Sequence, residues 1–467
     1  MNTPYPSHPP LADAVVEKLR ERFGSRFSQG ESIRTHHGRD ESVHTPALPD
    51  GVVFAETTEE VAEVVRLCHQ HRVPIIPYGV GSSVEGHVLA VHGGISLDLS
   101  GMNKVLSLHP EDMDATVEAG VTRTQLNDAL KGTGLFFPVD PGADASFGGM
   151  AATRASGTNA VRYGTMRDNI RGMTVVLADG RSIKTGGRAR KSSSGYDLTR
   201  LLTGSEGTLG IITELTVKLY PIPEAISAAV CAFPTVDAAV DTVIQTIQLG
   251  VPVARIELLD ALTMTAVNRH SKTTLQELPT LFFEFHGNPA SVAEQAQLVQ
   301  EIADGLGGQG FEWATRQEER TRLWQARHNA YFACLQLKPG CRGFSSDVCV
   351  PISRLAECIH ATNEDIAQSS LPIALLGHAG DGNFHLLILV DPAKPEELEE
   401  AERINERVVE RALAMDGTCT GEHGIGIGKR KFLVREHGTD AVDVMRAIKA
   451  ALDPLNLLNP GKILPAA

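Results

Sequence analysis

Two glycine-rich turns carry the residues best suited to chemistry: Gly377-His-Ala-Gly-Asp-Gly-Asn-Phe-His385 and Gly421-Glu-His-Gly424. A helix would place His378 and His385 on one face, but Gly380, Asp381 and Gly382 disfavour a helix there. On one unbroken strand the seven-residue separation would send the two imidazoles to opposite faces. A turn at Asp381-Gly382 between two short extended pieces removes the conflict and lets both rings converge. Glu422 and His423 are adjacent, so in an extended segment they point opposite ways, one free to bind a metal and the other to face a substrate. Two histidines and a carboxylate suit a borderline divalent ion with open coordination positions. Either motif alone reads better as turn histidines bonded to backbone. The pair together predicts a metal site.

The first turn needs a strand on each side, and residues 372–376 and 386–390 read as those strands. Around them, strand-like runs at 228–233, 255–259, 281–285 and 343–350 are interspersed with helical spacing at 236–247, 292–302 and 353–367. This predicts an α+β layer of antiparallel strands with helices on one face. The segment 321–337 reads as one helix carrying Trp324, Arg327, His328 and Tyr331, and 395–415 as a long charged helix with a solvated face. Helices near 429–436 and 442–452 precede Asn459-Pro-Gly-Lys462.

The N-terminal half is organised differently. Helical spacing over 11–23 is followed by a strand at 51–55, a Thr57 cap, a helix burying Val61, Val64, Val65 and Cys68, and a strand at 73–77: a β-α-β unit. It leads into Pro77-Tyr-Gly-Val-Gly-Ser-Ser83, whose consecutive backbone N–H groups can form a nest for an anionic oxygen. Gly79, Gly81 and Gly86 are spaced G-x-G-x-x-x-x-G, which is not the nicotinamide fingerprint. From Gly142 to Gly157, eleven of sixteen residues are Gly, Ala or Ser, so little side chain separates this backbone from a flat molecule lying on it. A hairpin at 170–184 and an alternating strand at 211–219 complete this half, and Pro221 and Pro223 mark a domain boundary.

With 467 residues, two or three domains are expected. A formal charge of -14 and a pI near 5.7 argue against nucleic acid or an anionic membrane as the main partner. Cys68, Cys231, Cys334, Cys341, Cys349, Cys358 and Cys419 form no C-x-x-C pair, so neither an iron–sulfur nor a cysteine–zinc site is suggested, and the unpatterned set fits a reducing compartment. No stretch approaches the ~18 apolar residues of a membrane span, and the N-terminus reads as a floppy lead-in with neither an export nor a transit pattern.

Six segments, in order along nearly the whole chain, resemble the FAD-dependent D-2-hydroxyacid dehydrogenases of the vanillyl-alcohol-oxidase (PCMH-type) fold, and within them the cytochrome-type D-lactate dehydrogenases. They are Pro77-Tyr-Gly-Val-Gly-Ser-Ser83, Asp140-Pro-Gly142, Arg162-Tyr-Gly164, Gly204-Ser-Glu-Gly-Thr-Leu-Gly-Ile-Ile-Thr-Glu214, the 377–385 turn and Gly421-Glu-His-Gly-Ile-Gly426. The resemblance implies an α+β protein with a PCMH-type FAD-binding domain over 1–222, a substrate and metal domain over 223–424 and a segment, 425–467, that returns to the FAD domain. It implies that Gly79, Gly81, Ser82 and Ser83 hold the pyrophosphate, that Pro141, Gly142, Gly148, Gly149, Ser156, Gly157 and Ile212 line FAD, and that Asn459 lies near the flavin. Ser82 occupies the position where covalent relatives carry histidine, so non-covalent FAD is expected. Glu85 and His87 lie beyond the matched loop and receive no role.

By the same resemblance His378, His385 and Glu422 bind a divalent metal (Zn or Mn), His423 is the base and Arg327 holds the substrate carboxylate. Dicarboxylate-using relatives carry lysine and asparagine where Ser345 and Leu387 stand here, which favours a substrate with an apolar tail. The implied reaction is oxidation of D-lactate, or a related apolar D-2-hydroxy acid, to the 2-keto acid by hydride transfer to flavin N5. Electrons then pass to a cytochrome, quinone or electron-transfer protein. The sequence reads as cytoplasmic, any contact with the inner membrane face being made through a partner, and a homodimer is left open. Alternatives are a glycolate oxidase flavin subunit, a D-2-hydroxyglutarate dehydrogenase, a flavin-binding partner protein without catalysis, and a flavin-free metal hydrolase. Colourless protein would mark the last.

Overall fold

Thr57 ends an extended segment and begins a helix. Its hydroxyl accepts the Glu60 N–H, and Thr58–His71 follows with Val61, Val64, Val65 and Cys68 buried. That helix is the crossover a parallel pairing requires. Gly51–Phe54 and Ile75–Tyr78 both pair in parallel with Ile95–Asp98, and Phe27–Ser28 adds an antiparallel edge to make a four-stranded sheet. The computed structural model describes residues 5, 8 and 10–465, so the lead-in expected over 1–10 lies mostly outside them.

The described residues form two compact units, one through 10–156, 164–222 and 422–465, the other through 157–163 and 223–421. This differs from the expected domains in two places: 157–163 falls in the second unit, and 422–424 in the first. The first unit holds the four-stranded sheet and a five-stranded antiparallel one. The latter runs Val105–His109, Asp114–Glu118, Ile211–Lys218, Ile170–Val176, Ser182–Gly186. One apolar core serves both sheets. The stretch 142–157, expected as open backbone, contains the helix Phe147–Thr153. Ser146 caps it by accepting the Gly149 N–H, and burial of Phe147, Met150 and Ala151 outweighs the low helix propensity of Gly148 and Gly149.

The second unit is built on an eight-stranded sheet. Its order is Gln309–Ala314, Ala225–Ala232, Thr280–Gly287, Val253–Leu259, Ile373–His378, Asn383–Val390, Arg342–Ser345, with Val348–Cys349 also on Asn383–Val390. Every pairing is antiparallel. The helix expected over 321–337 divides at Asn329 into Gln317–His328 and Ala330–Leu335. Trp324, Ala326 and Ala330 join Phe282, Leu387 and Leu389 in the core of this unit. All seven cysteines are free, and among the described residues no helix is long and apolar enough to cross a membrane.

Candidate active site

The loop after Ile75–Tyr78 forms one wall of a deep cavity in the first unit, through Gly79, Gly81, Ser82 and Ser83. Its glycines are required sterically. A Cβ on Gly79 would lie 2.5 Å from the Ser146 hydroxyl, and one on Gly81, where φ is +71°, 2.3 Å from the Tyr78 hydroxyl. Pro141, Gly148, Gly149 and Ser156 line a second wall, and Ile212 and Asn459 a third. Gly142 does not line the cavity. It takes a turn at φ +86°, its N–H donating to the Asp140 carboxylate. Gly157 belongs to the second unit. Glu422 and His423 also line the cavity.

A buried carboxylate organises that end of the cavity. Glu206, from Gly204-Ser-Glu-Gly207, accepts the backbone N–H groups of Ile425 at 2.7 Å and Gly426 at 2.9 Å, and its other neighbour is His87 Nε2 at 3.3 Å. Burial pushes the Glu206 carboxyl upward, but the His87 charge and the N–H donors outweigh it and hold the group below its ordinary range. Burial likewise opposes a charge on His87, and Glu206 outweighs it, raising the imidazole. The Asn459 amide donates to the His87 carbonyl at 3.0 Å and the Glu206 carbonyl at 2.8 Å. Behind it, Lys462 Nζ donates to the Leu89 carbonyl and to Asn459 Oδ1. Burial, with Arg430 adding to it, pushes Lys462 down to about 7. The chain around His423 is therefore held by backbone contacts two and three residues downstream of it.

The second unit carries the two turn histidines. Ile373–His378, a single 3-10 turn at Ala379–Asp381 and Asn383–Val390 form a tight hairpin. Gly382 closes it at φ +76°, where a Cβ would lie 2.1 Å from the Val350 carbonyl. The hairpin brings the His378 and His385 rings to 5.5 Å between centroids. His378 Nδ1 lies 2.8 Å from Glu257 Oε1, and His385 Nδ1 lies 3.1 Å from the Ser346 carbonyl. Both oxygens accept, so Nδ1 is the nitrogen that donates in each ring. Buried Asp347 accepts the Asn383 amide at 2.8 Å and the Thr420 hydroxyl at 2.7 Å. A Cβ on Gly421 would sit 2.2 Å from that amide nitrogen. The segment ending at Gly421 is thus pinned to the histidine turn, and Glu422 is the next residue, one Cα step of about 3.8 Å further.

Arg327 is buried in the same unit. Its Nε and Nη2 donate to Glu257 Oε2 at 3.0 and 2.5 Å. Ser345 and Leu387 are direct register partners on adjacent strands.

A cavity lined by backbone, small residues and the glycine- and serine-rich loop 79–83 fits a long, flat cofactor. Residues 49–186 match the model of the FAD binding domain, and residues 222–463 match that of FAD linked oxidases, C-terminal domain. A probable D-lactate dehydrogenase, mitochondrial, of Danio rerio is 52% identical over 97% of this chain and 92% of its own length. A D-lactate dehydrogenase [cytochrome], mitochondrial, of Arabidopsis thaliana is 49% identical over 97% of this chain and 80% of its own length. The solved structure of p-cresol methylhydroxylase superposes with a TM-score of 0.80 at 19% identity, covering 97% of this chain and 96% of that one, and shares the PCMH-type FAD-binding fold. The chain belongs to the FAD-linked oxidase family and is an FAD-dependent oxidoreductase.

Sequence reasoning left out three residues of this architecture. His87 was visible beside Glu85 and Gly86, and Glu206 within Gly204-Ser-Glu-Gly207, but their contact spans 119 positions and no local pattern announces it. Glu257 sits in an apolar strand, Val253–Leu259, where an acidic residue at a core position was the one available sign.

Proposed function

We propose that this chain is a metal-dependent D-2-hydroxyacid dehydrogenase that oxidises D-lactate, or a D-2-hydroxy acid with a longer apolar tail, to the 2-keto acid. The observation that carries the reading is the pair of buried imidazoles of His378 and His385, 5.5 Å apart with each Nδ1 anchored, on a turn pinned to the segment that leads directly into Glu422 and His423. In this reading His378, His385 and Glu422 hold a Zn or Mn ion. FAD is bound without a covalent link, its pyrophosphate on Gly79, Gly81, Ser82 and Ser83. Gly142 and Gly157 shape the chain beside the other FAD-lining residues.

When bound, FAD supplies the acceptor for two electrons and the divalent ion supplies Lewis acidity toward the substrate hydroxyl. The remaining work falls to side chains. His423 takes the hydroxyl proton, a task matched to an imidazole of ordinary pKa near ~6.5. Arg327 offers Nη1 to the substrate carboxylate, since Nε and Nη2 face Glu257. Leu387 leaves no polar group for a second carboxylate. The electrons leave to a cytochrome, quinone or electron-transfer protein. The reading keeps the chain cytoplasmic, meeting a membrane acceptor through a partner, as a monomer or homodimer.

The test is anaerobic bleaching of the flavin band by D-lactate, L-lactate, D-2-hydroxybutyrate, glycolate and D-2-hydroxyglutarate, before and after chelator. Bleaching by D-lactate or D-2-hydroxybutyrate that chelator abolishes and a divalent ion restores is the expected result. Bleaching by glycolate or D-2-hydroxyglutarate alone would discard the apolar-tail argument. Bleaching indifferent to chelator would discard the metal.

A further inference from the structure

We propose that Glu257 is a positioning residue that joins the metal centre to the substrate arginine, so that metal binding and carboxylate recognition depend on one side chain. The inference rests on the metal-dependent reading above.

Glu257 lies on Val253–Leu259, next in the sheet to Ile373–His378. Its side chain is fully buried. The two carboxylate oxygens are divided between two partners: Oε1 faces His378 Nδ1 at 2.8 Å, and Oε2 accepts Arg327 Nε at 3.0 Å and Nη2 at 2.5 Å. A rigid planar group that holds one partner on each oxygen cannot turn toward one without turning from the other. The bond to Nδ1 fixes the His378 tautomer and aims Nε2 away, which is what a ligating histidine needs from its outer partner. The bonds to Nε and Nη2 fix the guanidinium plane and leave Nη1 for a carboxylate.

Stability alone does not explain this arrangement. Buried ion pairs are commonly replaced by apolar residues of similar volume without loss. The strand neighbours Leu258 and Leu259 are apolar and buried. The arginine on this strand, Arg255, is engaged elsewhere, with Glu284 at 3.3 Å and Asn159 at 2.7 Å. Arg327 is thus the cation that answers Glu257, on a helix that supplies no metal ligand.

The proposal therefore predicts an effect carried through Glu257: altering Arg327, which bonds to Glu257 Oε2, should weaken the metal. The experiment measures Mn2+ and Zn2+ dissociation constants by chelator competition on the flavin-loaded protein, for wild type, Glu257→Gln, Arg327→Met and the double variant, with thermal unfolding alongside. Glu257→Gln should weaken metal binding about 10–100-fold. Arg327→Met should weaken it several-fold, and the double variant should be no weaker than Glu257→Gln. Glu257→Asp, which keeps the charge but is too short to reach both partners, should fall between wild type and Glu257→Gln, and it serves as the readout if Glu257→Gln does not fold. Metal affinity in Glu257→Gln (or in Glu257→Asp, if that is the variant that folds) within twofold of wild type would overturn the proposal while leaving the metal site intact. Independent, multiplicative effects of Glu257 and Arg327 would also overturn it. Wild-type protein that binds neither ion would overturn the metal-dependent reading and this inference together.

Discussion

Each unit contains one buried glutamate that organises its functional end, and the two do so by different means. Glu206 takes backbone N–H groups of Ile425 and Gly426 beside His87. Glu257 takes only side chains, His378 and Arg327. A carboxylate that binds main chain fixes where a segment runs; one that binds side chains fixes where particular atoms point. Disturbing the first should be felt as loosened structure and cofactor loss, disturbing the second as altered chemistry in a protein that still folds.

Substitutions can break that contrast, beginning with the largest effect. His378→Ala removes the imidazole held by Glu257, a ligand in the proposed metal site, and should abolish metal binding and lower turnover on the order of 10³-fold or more with the flavin spectrum unchanged. Full metal content after gel filtration would remove His378 from the ligand set. His423→Ala should lower turnover by ~10²–10⁴-fold while FAD and metal stay bound; normal dye reduction would cancel its role as base. Glu206→Gln replaces one acceptor oxygen with an amide that faces a backbone N–H. It should lower stability by about 1–3 kcal/mol and promote FAD release on dilution. An unaltered melting curve and tight FAD would mean that the Glu206 contacts contribute nothing.

The smallest effect concerns pH. Burial lowers Lys462 to about 7 from an ordinary 10.5. Between those values the unfolded chain holds a proton that the folded chain has released, so this group makes stability rise with pH from about 7 to about 10.5. Lys462→Met should flatten that rise in denaturant titrations taken across the window. An unchanged slope would show that the amine keeps its proton in the folded protein.

Much of this was legible before any coordinates. The histidine turn could be read because a seven-residue spacing, three turn-forming residues and two flanking apolar runs admit one solution, and the observed strand–turn–strand is that solution. The turn at Pro77–Ser83 was legible because its glycines are local requirements. The helix Phe147–Thr153 was not, since its glycines argue against a helix and only tertiary burial of Phe147 and Met150 decides the matter. The burial of Arg327 could not be read locally, because it depends on Glu257, 70 positions away. Nothing local distinguishes an acidic residue waiting for a distant cation from one facing water.

The tail has a consequence for the order of synthesis. Ile75–Tyr78 lies at the margin of its sheet, and its outer side is completed at Leu458, where the Ile75 N–H donates to the Leu457 carbonyl and the Asn459 N–H to the Ile75 carbonyl. A ribosome emits Ile75 long before it emits Leu458. Throughout that interval the nascent chain presents an open strand edge, the kind of surface that recruits the wrong partner. The flavin cavity also lacks Asn459 until then. Cofactor capture by the first unit is thus a late event, and a nascent chain stalled before the tail emerges should bind chaperones rather than FAD.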